Sequence, residues 1–157
     1  MTSASEIPVA HTPPGGYGHE MPPPVLAGCR EPLVAGAPDL RGTWKVVDAF
    51  TDDGPLAAGH PVWQHLERVE QAGDRVVVTS SGIVHDMRAD GTYENGVHDV
   101  AAIDFTTPIE VAASYEDDVL VLRPKNMPGV EVRRWLEDDM LLWRYHTVFT
   151  TRSVRTA

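Results

Sequence analysis

The chain has a single cysteine among its 157 residues, Cys29, so it can form no internal disulfide and no thiolate metal cluster. Basic residues are scarce: 13 Lys and Arg stand against 23 Asp and Glu, a formal charge of −10. That balance argues against a nucleic-acid backbone or an anionic membrane surface as partner. No apolar run approaches the roughly 20 residues of a membrane span, and no basic-then-apolar leader opens the sequence. A cytoplasmic protein in a reducing compartment, with no membrane insertion, is expected. Long helical patterns are missing too. So are a Gly-x-Ser-x-Gly elbow, a phosphate loop and a dinucleotide fingerprint, which removes the usual signals of nucleotide-dependent chemistry.

What is present divides unevenly along the chain. Residues 1–40 hold 8 of the 13 prolines, including Pro22-Pro23-Pro24. Proline and glycine at this density cannot build a packed element alone. Residues 1–38 therefore read as an N-terminal tail and strap. A disordered tail is expected over 1–20. Over 21–38, Val25, Leu26, Leu33 and Val34 could lay an extended strap on a surface.

Residues 39–157 read as one β domain. Turn signals recur at Ala72-Gly73-Asp74, Ala89-Asp90-Gly91, Asn95-Gly96, Glu116-Asp117-Asp118, Met127-Pro128-Gly129 and Glu137-Asp138-Asp139, with Val-, Ile-, Thr-, Tyr- and Trp-rich runs between them. This is the pattern of an antiparallel meander with tight hairpins. The predicted strands are 41–49, 64–71, 75–81, 83–89, 92–95, 97–105, 109–115, 119–123, 130–136, 140–148 and 149–155. One short helix fits only in 55–66, where Pro55, Gly59 and Pro61 limit it. The fold class expected is all-β, an up-and-down barrel enclosing a ligand-sized interior.

Two stretches carry a resemblance. Gly42-Thr43-Trp44-Lys45-Val46-Val47 is similar to the opening strand of a fatty-acid-binding protein. Leu136-Glu137-Asp138-Asp139-Met140-Leu141, followed by Thr151-Arg152, is similar to that family's closing hairpin. The chain thus resembles the calycin superfamily, the lipocalins and fatty-acid-binding proteins. The resemblance implies a barrel that holds a hydrophobic small molecule. It also implies two inward arginines binding a ligand carboxylate, at positions matching Arg134 and Arg152. The family's tyrosine position is occupied here by Val154, and its paired helical lid has no counterpart in 50–62.

Strand alternation gives a parallel reading. With Arg134 inward, Trp143 and Tyr145 share one face of the next strand, and Arg152 with Thr150 and Val154 one face of the last. A buried arginine demands an anion, either a ligand or an internal carboxylate. Competing placements stay open. Arg152 could instead lie across the ring of Trp44 as a cation–π contact, as the last-strand arginine does in lipocalins. Arg134 could face solvent, because a one-residue slip inverts the face.

Tyr93, Tyr115 and His98 complete the candidate ligand contacts. Tyr145, His85 and Glu94 are the candidate proton-transfer groups. His85 and His98 each precede an aspartate and could meet across the sheet; His60, His65 and His146 carry weaker signals. Metal and haem have no specific support, so no cofactor is expected. Two functions fit. One is a carrier for a hydrophobic carboxylate- or carbonyl-bearing molecule. The other is a cofactor-independent cyclase, isomerase or dehydratase of bacterial secondary metabolism using the same interior. A filled barrel that binds a protein on its outer face is a third. Outward Trp135 and Val148 would tolerate a homodimer contact.

Overall fold

In the turn between Glu116 and Val119, Asp117 and Asp118 both take positive φ, 51° and 63°. This is the primed geometry that lets a two-residue loop follow the twist of its strands. Comparable turns fold residues 42–155 into a meander. The computed structural model describes residues 3–18, 20–80 and 82–156. Its strands are β1 (Gly42–Thr51), β2 (Gly54–Pro55), β3 (Leu66–Ala72), β4 (Arg75–Ser80), β5 (Ile83–Arg88), β6 (Val97–Val100), β7 (Pro108–Glu116), β8 (Val119–Pro124), β9 (Val132–Glu137), β10 (Met140–Tyr145) and β11 (Phe149–Arg155). Ten of them form one antiparallel sheet in the order β5-β4-β3-β1-β11-β10-β9-β8-β7-β6, with β2 pairing only β1. The result is an all-β, nearly closed barrel.

Several boundaries differ from the sequence reading. The expected strand 92–95 is a turn, and β6 stops at Val100 rather than 105. The expected helix in 55–66 is a single 3-10 turn, Pro61–Gln64, N-capped by His60. Ser81, within one predicted strand, lies outside the described residues.

Side chains sort by register. Trp44, Val69, Val76, Val78, Met87, Val97, Val111, Ala113, Leu120, Leu122 and Leu141 form the inward core. A bulge between Val46 and Asp48 shifts the β1–β11 register. It returns Ala49 to the interior while leaving Val47 exposed. One barrel end is closed by Trp44, whose indole donates to Leu40 O at 2.9 Å. The Arg155 guanidinium lies 4.4 Å from the Trp44 ring centre. The cation–π contact considered for Arg152 therefore belongs to Arg155.

The seam between β5 and β6 is not a paired ladder. The N-terminal segment occupies it. The Thr12 hydroxyl both accepts from Val84 N at 3.0 Å and donates to Val84 O at 3.1 Å, while Thr12 N donates to Asp99 Oδ2 at 2.8 Å. Arg75 and Asp86, both buried, anchor this segment from the outer face of β4 and β5. Two Arg75 nitrogens donate to the Asp86 carboxylate, and the remaining donors reach the carbonyls of Ala4, Ile7 and Pro8. Further along, Glu70 accepts from Val25 N and Leu26 N. Ala4 and Leu26 then pack on Ala72, Val77 and Val84. The described part of 1–20, expected as a disordered tail, thus lies along the barrel wall. Polar anchors hold it where its proline-rich composition supplies little apolar surface.

Gly96 opens β6 against β7. A Cβ there would lie 1.8 Å from Val111 O. Gly96→Ala should therefore destabilise the protein by about 1–3 kcal/mol, as overpacking does. Urea denaturation would check this; an unchanged midpoint would contradict the close approach.

Candidate ligand site inside the barrel

Glu67 is the second residue of β3 and faces inward, and His65, which caps the 3-10 turn just before β3, reaches it from the same side. The Glu67 carboxylate is fully buried. It accepts from Arg134 Nε at 2.9 Å and Nη2 at 3.2 Å, and it bonds His65 Nε2 at 2.7 Å. Burial pushes the Glu67 carboxyl up. The charge of Arg134 and the bond to His65 outweigh that and hold it at about 2. An ionised carboxylate only accepts, so His65 donates from Nε2. No described residue bonds Nδ1.

Strand pairing extends the cluster. Arg134 is opposite Trp143, and Trp143 is opposite Thr151. The Arg134 guanidinium lies 5.2 Å from the Trp143 ring centre, and the His65 ring stacks on the same indole at 4.5 Å and 29°. Phe149 meets Trp143 edge-on at 5.1 Å. Val62 of the 3-10 turn, with Leu56 and Trp63, packs on Val46 and Ala49 over this region.

Two polar atoms here are buried without a partner among the described residues: Trp143 Nε1 and Thr151 Oγ1. Each such group costs about 1–3 kcal/mol of unrecovered desolvation. The other three indoles are satisfied, by Leu40 O, Ala57 O and Glu137.

The remaining candidates scatter. Arg152 points outward, donating to Asp48 at 2.9 Å with its guanidinium 4.7 Å from the Phe50 ring centre; it does not face the interior. Thr151 and Ser153 take the inward places instead of Thr150, Arg152 and Val154. Tyr145 keeps to the rim, 45% exposed and stacked on Phe149. His98 is outside, bonded to Tyr93 O and close to Glu110. It does not meet His85, which faces inward and bonds Val100 O across the seam. Burial lowers the His85 pKa, which favours the neutral ring. Glu94 lies in an outer groove with His11 and Arg88. Tyr93 is in a surface turn near Lys125. Tyr115 is inward and shares a register row with Arg134 through Leu120, two strands away, its hydroxyl accepting from Gln71 Nε2 at 2.8 Å. Burial raises the Tyr115 phenol to about 12. Of the predicted residues, Arg134 and Trp143 are the pair brought together. Glu67 and Thr151 were not anticipated. In Leu66-Glu67-Arg68-Val69-Glu70-Gln71 both alternating sets contain charges, so neither set marks itself as inward.

Among the described residues no group of three or more His, Cys, Asp or Glu is placed to hold a metal, and no helix is long and apolar enough to cross a membrane. No family model matches the chain, and no curated protein matches it in sequence. Its structure is similar to that of human cRBP IV, a cellular retinol-binding protein, with a TM-score of 0.56 and 18% identity, over 75% of this chain and 98% of that one. A quarter of this chain is therefore additional to the shared barrel. The likeness is one of fold, and it agrees with the opening and closing strands: the chain has the calycin fold in the form seen in fatty-acid-binding proteins.

Proposed function

We propose that this protein binds one hydrophobic small molecule inside its barrel and holds an uncharged oxygen of it, a carbonyl or hydroxyl, at Trp143 and Thr151. The unpartnered pair Trp143 Nε1 and Thr151 Oγ1 carries the reading. A ligand oxygen accepting from the indole would recover the hydrogen bond that the folded chain leaves unmade. Barrels of eight strands already give room for packed side chains or one small ligand, and the inward residues of this ten-strand barrel are mostly valine and leucine. The similar human protein is named for binding retinol.

A carboxylate-bearing ligand is disfavoured. Arg134, the buried cation that would attract it, is already paired with Glu67. A second carboxylate would bring an uncompensated charge into a poorly solvated space. Calorimetry with a long-chain methyl ketone, alcohol, fatty acid and alkane of equal length tests this. The ketone or alcohol should bind most tightly, and Trp143→Phe should weaken it about fivefold, the worth of one hydrogen bond near 1 kcal/mol. Tightest binding by the fatty acid, with loss in Arg134→Gln, would overturn the proposal.

A further inference from the structure

His65 combines three features that carrying a ligand does not require. Its Nε2–H is held by a buried carboxylate at 2.7 Å, its ring is fixed by stacking on Trp143, and its Nδ1 has no partner among the described residues. A base oriented by a carboxylate, beside donors that can take up charge on oxygen, is the arrangement of acid–base catalysis. Neither Arg134 nor Trp143 is used up. No described residue bonds Arg134 Nη1, and Trp143 Nε1 is unpartnered.

We propose that His65 is a general base acting on the bound carbonyl compound, with Glu67 as its positioning residue and Trp143 and Arg134 as the donors to the carbonyl oxygen. The inference rests on the ligand reading above. The substrate class is an apolar ketone or aldehyde with an acidic C–H beside the carbonyl. In the first step the Nδ1 lone pair takes that proton. The C–H bond breaks and an N–H bond forms, and the electron pair moves into a C–C double bond and onto oxygen. Trp143 Nε1 and Arg134 stabilise the enolate, while Glu67 stabilises the imidazolium. In the second step the imidazolium returns the proton, to the same carbon or, in a β,γ-unsaturated carbonyl, to the γ carbon. The carbonyl re-forms and the double bond shifts into conjugation. Nothing is oxidised or reduced, and no cofactor is needed.

The test is a long-chain β,γ-unsaturated methyl ketone incubated with the full chain in D2O. Deuterium at the α carbon and the conjugated isomer are followed by NMR, and binding is measured separately by calorimetry. The wild type should accelerate exchange over the same concentration of free imidazole. His65→Gln should lower the rate by about 10²-fold or more while still binding the ketone. The wild-type rate should also depend on pH in a way that the residual rate of His65→Gln does not, a difference that a purely structural His65 would not produce. A ketone that binds without exchange above the imidazole control overturns the catalytic inference and leaves the ligand reading standing. Exchange that persists in His65→Gln also overturns it. A ketone that does not bind at all overturns both.

Discussion

Asp86→Ala should lower the stability of the protein by about 3–5 kcal/mol, the cost of leaving a buried charge without its partner. Arg75 and Asp86 have side chains only 2% and 1% exposed, and the guanidinium is saturated by the carboxylate and three carbonyls. Removing Asp86 takes away two of those bonds and the acceptor for Ala10 N at 2.9 Å. The loss should reach the N-terminal segment first. Amides such as Ala10 and Thr12, held by side-chain carboxylates, should exchange with solvent far faster than in the wild type. Urea denaturation and hydrogen exchange measure the two effects. A loss below 1 kcal/mol, with Ala10 and Thr12 still protected, would show that the segment is held by something other than this pair.

Glu67→Gln should cost a comparable amount, again about 3–5 kcal/mol, because it strands Arg134 inside the barrel. Its pH dependence identifies the cause. Glu67 is held at about 2 instead of its ordinary 4.5. A carboxyl whose folded pKa is depressed binds fewer protons in the native state than in the unfolded one. Its stabilisation is therefore complete above pH 4.5 and is lost as pH falls from 4.5 toward 2. The shift is worth about 3 kcal/mol. The difference between wild type and Glu67→Gln should accordingly shrink across that window. A difference that stays constant from pH 6 to pH 2.5 would mean that the carboxylate charge contributes nothing.

The barrel was largely legible in the sequence because its punctuation is local. Gly73, Asp117-Asp118 and Asp138 sit at turns whose positive φ their residue types tolerate, and the strands end beside them. Residues 92–95 misled because Tyr93 has strand propensity, yet the stretch is an Asp90-centred turn in which Asp90 accepts from Thr92 and Asn95. The site was half legible. Arg134 and Trp143 follow from alternation on β9 and β10. The facing of β11 could not be read, because it depends on the length of the loop before it. Tyr145 pairs with Phe149 across three residues, with His146 at φ 50°. A loop one residue shorter or longer would have put Arg152 inside in place of Thr151. Glu67 was illegible for a different reason. Its partner Arg134 is 67 positions away, and only closure of the barrel brings them together. The N-terminal segment was misjudged because composition reports apolar content, whereas this segment is held by Asp86, Asp99, Glu70 and Thr12.

The most direct test of the ligand site is the indole region of a 1H–15N spectrum, recorded while the long-chain methyl ketone is added. The four tryptophans supply four indole N–H signals, three of which already have protein acceptors: Leu40 O for Trp44, Ala57 O for Trp63 and Glu137 for Trp135. Only the Trp143 signal, assigned by its disappearance in Trp143→Phe, should move strongly downfield and exchange more slowly as the ketone saturates the protein. A Trp143 signal that stays in place while calorimetry shows the ketone bound would contradict the site.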